Sequence, residues 1–75
     1  MINYDEKWWA ELPMSTRAVK AMRTVERLNA EQNPKFKNDS LDDFKEIIKT
    51  KRLLLLRNVG QNTEDEFCAL LGIKK

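Results

Sequence analysis

Leu53 to Leu71 reads LLLLRNVGQNTEDEFCALL, and the fold turns on how this stretch is parsed. A leucine run ends in Arg57-Asn58-Val59-Gly60, a short polar turn follows, and a second apolar pattern starts behind Thr63. The pattern predicts a helix, a tight glycine turn and a helix. Gly60 supplies backbone angles that other residues disfavour. Thr63, with Glu66 three residues on and Phe67 next, matches a capping box at a helix start. The first free amides of such a helix attract anions, phosphate included. The stretch is therefore either an anion-gripping hairpin or a turn between two core helices.

Working outward, the last helix is expected over about 63–71, with Phe67, Leu70 and Leu71 inward and Gly72 as its stop. Upstream, Thr50 is placed to cap a short helix over about 51–57. Asp39-Ser40-Leu41-Asp42-Asp43 is another start signal, with acids crowding the positive helix end. Behind it Leu41, Phe44, Ile47 and Ile48 form a core stripe, so a helix is expected over about 41–49. Asn29 to Asn38 is polar, contains Pro34 and lacks periodicity, which makes it a loop, with Phe36 tucked back onto the core.

Before that loop, Ser15 or Thr16 caps a helix expected over about 16–30. Ala18, Val19, Met22, Val25 and Leu28 share its inner face. At about 100° per residue, Lys20, Arg23 and Arg27 fall on a stripe with Arg17, roughly opposite that face. Such a stripe is either a solvated surface or a nucleic-acid footprint. Residues 1–12 carry Tyr4, Trp8 and Trp9 among charges and form an aromatic arm or a short helix. Adjacent tryptophans are not expected both to face one core. Either one or both cover the edge of the domain's own core, or Trp8 and Trp9 form an exposed patch for a partner chain.

Seventy-five residues bound the chain to one small domain, with residues 1–12 as the arm and 13–75 as the helical unit. A chain this short buries only about 60% of its unfolded surface. Two glycines, two prolines and no long β-branched runs argue for an all-α fold, a compact bundle of four or five short helices with a helix-hairpin-helix element. No apolar run approaches the roughly 20 residues of a membrane span. One cysteine, Cys68, forms no internal disulfide and reads as a small buried hydrophobe. A reducing, cytoplasmic setting is the expectation. The chain has no histidine, which excludes the usual zinc sets and Ser-His or Cys-His pairs. Neither metal nor cofactor is signalled, and the acids at Asp39, Asp42, Asp43 and Glu64 to Glu66 are explained by helix starts, so no enzyme is expected. Net charge is only +2, but residues 13–37 hold six cations against two acids, and Lys51, Arg52 and Arg57 add to them.

The stretch T-K-R-L-L-L-L-R-N-V-G-Q-N-T-E-D-E-F resembles the C-terminal domain of the bacterial RNA polymerase alpha subunit, whose pattern there is L-L-x-x-x-N-L-G-x-K-S-x-x-E-I. E-L-P-M-S-T-R-A-V-K-A-M is similar to that family's E-L-x-x-S-x-R-x-x-N-x-L. The likeness covers residues 11–28 and 40–72. It implies a SAM/alpha-CTD-like helical domain that grips DNA without enzymatic activity. It implies that Arg17 enters the minor groove of A·T-rich DNA, where a narrow groove concentrates negative potential. The family's glycine, serine and glutamate match Gly60, Thr63 and Glu66. Its asparagine, the residue after it, and its lysine are replaced by Lys20, Ala21 and Asn62. These departures shift the expectation from promoter-type recognition toward phosphate contact by Lys20, Arg23 or Arg57.

The expected DNA-binding set is thus Arg17, Lys20, Arg23, Arg57, Gly60, Asn62 and Thr63, acting in transcription on A·T-rich duplex with low specificity. The alternative is a protein-interaction module that docks on RNA polymerase or a regulator through Trp8 and Trp9. Because the chain starts at Met1 without an assembly domain, it is expected to be a free-standing relative or an excised piece of the family.

Overall fold

The computed structural model describes residues 6–57 and 59–73. Tyr4 and Asn58 lie outside the described residues. Helix α1 spans Thr16–Ala30, α2 spans Leu41–Lys49 and α3 spans Gln61–Leu71. Single 3₁₀ turns occupy Pro34–Phe36 and Leu53–Leu55. The protein is all-helical, with no strand among the described residues. Among the described residues three α-helices stand where four or five short helices were expected. None of the described helices is long and apolar enough to cross a membrane.

Helix α1 starts where the sequence says it should. Ser15 is extended, and its hydroxyl accepts the Ala18 N–H at 3.2 Å. The inner stripe of Ala18, Ala21, Met22 and Val25 is buried. In α2, Ser40 Oγ accepts the Asp43 N–H at 3.4 Å, while Asp43 Oδ2 accepts the Asp39 N–H at 3.1 Å. The first bond satisfies a donor that a helix start leaves unpaired, and the second ties the residue before the cap to the first turn. Phe44, Ile47 and Ile48 turn inward from α2. Phe36 comes back from the loop to the core, 5% exposed, as expected.

All three helices end alike. Gln32 (φ 62°), Lys51 (φ 61°) and Gly72 (φ 67°) are left-handed. After α1, the Gln32 and Asn33 amides donate to the Asn29 and Leu28 carbonyls. After α2, the Lys51 and Arg52 amides donate to Ile48 and Ile47. This is the paired bonding of a Schellman stop. Only Gly72 adopts the geometry without a Cβ penalty.

The core joins Trp9, Met22, Val25, Phe44, Ile47, Leu53 and Phe67. Phe44 sits edge-on to Phe67, with ring centroids 5.0 Å apart, and Trp8 tilts against Phe44 at 5.6 Å.

Four expectations are corrected. The helix over 51–57 is a single 3₁₀ turn, because Lys51 leaves α2 in the left-handed region and Leu53 alone of the run is fully buried. Thr50 therefore closes α2 and does not open a new helix: its hydroxyl donates to the Glu46 carbonyl at 2.8 Å. Helix α3 begins two residues early, at Gln61, with Gly60 as its N-cap and Thr63 buried at 1% exposure, so Thr63 and Glu66 form no capping box. Gly60 is itself extended (φ −109°, ψ −176°), an ordinary conformation for any residue, and a Cβ there would meet nothing within 4 Å.

The tryptophans are the fourth. Residues 7–12 turn tightly, with the Ala10 amide donating to Lys7 O and the Leu12 amide to Trp9 O. That turn removes the alternation that would send neighbouring side chains apart, so both rings face the same core. Trp9 is 3% exposed, and its Nε1 donates to Glu26 Oε1 at 3.2 Å. Trp8 is half-buried, and its Nε1 donates to Asn38 O at 3.3 Å. Neither forms the exposed partner patch that the arm suggested.

Candidate functional site

The outer stripe of α1 faces the chain between the 3₁₀ turn and α3. Helical spacing puts Arg17, Lys20, Thr24 and Arg27 along one edge, opposite the buried Ala18, Met22 and Val25. The segment running to α3 is folded on itself by three local turns of hydrogen bonding. The Leu55 amide donates to Arg52 O at 3.0 Å, Leu56 to Leu53 O at 3.2 Å and Val59 to Leu56 O at 3.2 Å. Between these walls lies a groove of about 740 Å³. Arg17, Lys20, Arg27 and Arg57 supply its cations, and Ala21, Leu28, Leu55, Leu56 and Val59 its apolar lining.

The leucine run shows why the lining is apolar. In a 3₁₀ turn residues three apart eclipse each other. Leu53 is fully buried and Leu56, three residues on, packs partly against the core. Leu55 projects away and is 68% exposed, the one exposed large hydrophobic among the described residues.

The Arg17 end of the groove is fixed by a carboxylate from α3. Glu66 Oε2 accepts the Ser15 N–H at 2.8 Å, and Glu66 Oε1 accepts the Ser15 hydroxyl at 2.7 Å. Arg17 Nη2 lies 3.7 Å from Glu66 Oε1, with its side chain 56% exposed. The Ser15 backbone and hydroxyl donors, and then the Arg17 charge, hold the Glu66 carboxyl below its ordinary range against a smaller desolvation effect. Arg17 is thus loosely tethered and still faces solvent.

The expected site residues divide. Arg17, Lys20 and Arg57 come together on the groove. Arg23 is exposed but does not line it. Gly60 and Asn62 are exposed beyond its end. Thr63 is inaccessible, and its amide, like that of Glu64, is spent on the Gly60 carbonyl. Thr63 is therefore withdrawn as a contact residue. Arg27 and the leucines were missed as site residues. Arg27 was already legible on the stripe with Arg17, and a run of four leucines cannot all point inward.

Two buried carboxylates also escaped the sequence reading. Glu26, 2% exposed, accepts from Trp9 Nε1 and from Asn38 Nδ2 at 2.8 Å, and pairs with Lys7 Nζ at 3.1 Å. It ties the arm and the loop to α1. Glu64, fully buried, accepts from Lys51 Nζ at 3.2 Å, joining α3 to the end of α2. Burying such charges is tolerable only with partners of this kind. Among the described residues no group of three or more acidic or cysteine side chains converges as a metal site.

No protein-family model, no curated protein and no solved structure matches the chain.

Proposed function

We propose that this chain is a non-enzymatic DNA-binding module of the RNA polymerase alpha C-terminal type, gripping the minor groove and the phosphate backbone in a transcription setting. The observation that carries the reading is the convergence of Arg17, Lys20 and Arg57, three expected contact residues from two distant segments, on one groove with Arg27. Arg17 stands at the start of α1, solvent-facing, where it can reach into a narrow A·T-rich minor groove. Lys20, Arg27 and Arg57 are spread beside it for phosphate contact. Such contacts fix position on the duplex and carry little sequence information. The first two amides of α3 have no partner within the helix and add a weak anion-attracting element at Gln61 and Asn62.

The test is a fluorescence-anisotropy titration of A·T-rich duplex at low and moderate salt. The reading requires binding that weakens steeply with salt and falls with Arg17→Ala. Absence of binding at low salt, or indifference to Arg17→Ala, rejects it.

A further inference from the structure

We infer that the same groove docks an acidic amphipathic helix of a partner protein. This goes beyond the DNA reading, because it stands on the groove's apolar lining, which a phosphate backbone does not use. Leu55 is 68% exposed in a protein whose other large described hydrophobics are at least partly covered. It does not stand alone. Leu28, Leu56 and Val59, each partly exposed, continue the apolar surface along the groove, above the buried Ala21. An exposed leucine beside further apolar lining offers a partner apolar surface to bury, whereas one isolated on a polar face would not.

The charges specify the occupant. Every charged side chain lining the groove is a cation: Arg17, Lys20, Arg27 and Arg57. A helix presenting leucine-like residues at i, i+3, i+4 and i+7 would lay them along this lining. Acids on its flanks would meet the arginines and Lys20 at the rim, where Arg forms paired bonds with carboxylates. The length also fits. Arg17 and Arg27 are ten residues apart on α1, about 15 Å of helix, which matches roughly ten residues of a docked helix lying alongside. A basic or uncharged helix would find the rim repulsive or indifferent. Since the rim cations are those proposed to contact phosphate, a docked acidic helix would also exclude DNA.

The experiment uses the full chain and three labelled 18-residue peptides. The first is a Leu/Glu peptide patterned as an amphipathic helix. The second has the same composition, scrambled so that the leucines share no face. The third has the same charge, with serine replacing leucine. Anisotropy is expected to show the patterned peptide binding at least 10-fold more tightly than either control. Leu55→Ser should weaken the patterned peptide at least 10-fold. Arg57→Ala should weaken the peptide too. Patterned and scrambled peptides binding alike would reduce the effect to simple polyanion attraction and overturn the inference, as would no binding of the patterned peptide or no effect of Leu55→Ser. Duplex binding with no peptide binding sinks only this inference. Peptide binding with no duplex binding sinks only the DNA reading. Leu55 is exposed, so the Ser variant should keep the wild-type helical circular dichroism, and Leu55→Ala provides a second variant at that position.

Discussion

Glu66 accepts both the backbone N–H and the hydroxyl of Ser15, at 2.8 and 2.7 Å, from 51 residues along the chain. Ser15 Oγ in turn accepts the Ala18 amide. A residue of α3 therefore completes the cap of α1, and the start of the basic stripe is positioned by a tertiary contact as well as by its own helix. Ser15→Ala removes two of these bonds. It should cost about 1 kcal/mol, the usual effect of losing an N-cap, seen as a lower urea midpoint.

The same contact has a pH signature. Glu66 is held below its ordinary range chiefly by the Ser15 donors. On acidification the unfolded chain therefore takes up the Glu66 proton before the folded one does, so the stabilisation is complete above the unfolded pKa and is lost as pH falls through the folded one. The urea midpoints of wild type and Glu66→Gln should differ at pH 7 and converge toward pH 3. A constant gap across that range would show that Glu66 acts through something other than its charge.

Gln32 and Lys51 hold left-handed positions that favour glycine. Gln32→Gly should stabilise the protein by about 1 kcal/mol, since a side chain there costs roughly that much. Lys51→Gly gains the same term but gives up the ion pair with buried Glu64, so it should stabilise less than Gln32→Gly or destabilise. Thermal or urea unfolding of the two variants checks the order.

Glu26→Ala leaves Trp9 Nε1, Asn38 Nδ2 and Lys7 without their shared acceptor. Removing one member of a buried ionic cluster costs on the order of 3 kcal/mol. Lys7→Ala should destabilise as well, because it leaves the buried Glu26 carboxylate with its two neutral donors but without its counter-charge. The Glu26→Ala variant should also show red-shifted tryptophan emission as the arm loosens.

Helices α1 and α2 were legible because their caps and apolar stripes agree: Ser15 and Ser40 sit one residue before the patterns they start. Gly72 was legible as a stop for the same reason. The stops at Gln32 and Lys51 were not, because neither residue carries the glycine signal and their geometry comes from the hydrogen bonds around them. The hairpin stretch misled through a local coincidence. Thr63 and Glu66 have capping-box spacing, but Thr63 turns into the core and Glu66 crosses to Ser15, which no window of sequence can show. That tryptophan covers the core was legible; that both rings pack on the same core was not, because it depends on the tight turn of residues 7–12. For the site, the cations of α1 could be read from periodicity. Their convergence with Arg57, and the outward placement of Leu55, depended on how the chain after α2 folds back.

The proposed function requires that DNA be held by the groove and not by positive charge in general. The most direct measurement is the salt dependence of duplex affinity for Arg17→Ala, Arg57→Ala and Arg23→Ala side by side. Arg17 and Arg57 line the groove and Arg23 lies off it. Loss of a phosphate-contacting groove cation should lower affinity and flatten the plot of log affinity against log salt by about one unit, while Arg23→Ala should leave the slope nearly unchanged. Equal losses in all three variants, or no measurable duplex binding by the wild type, would contradict the account.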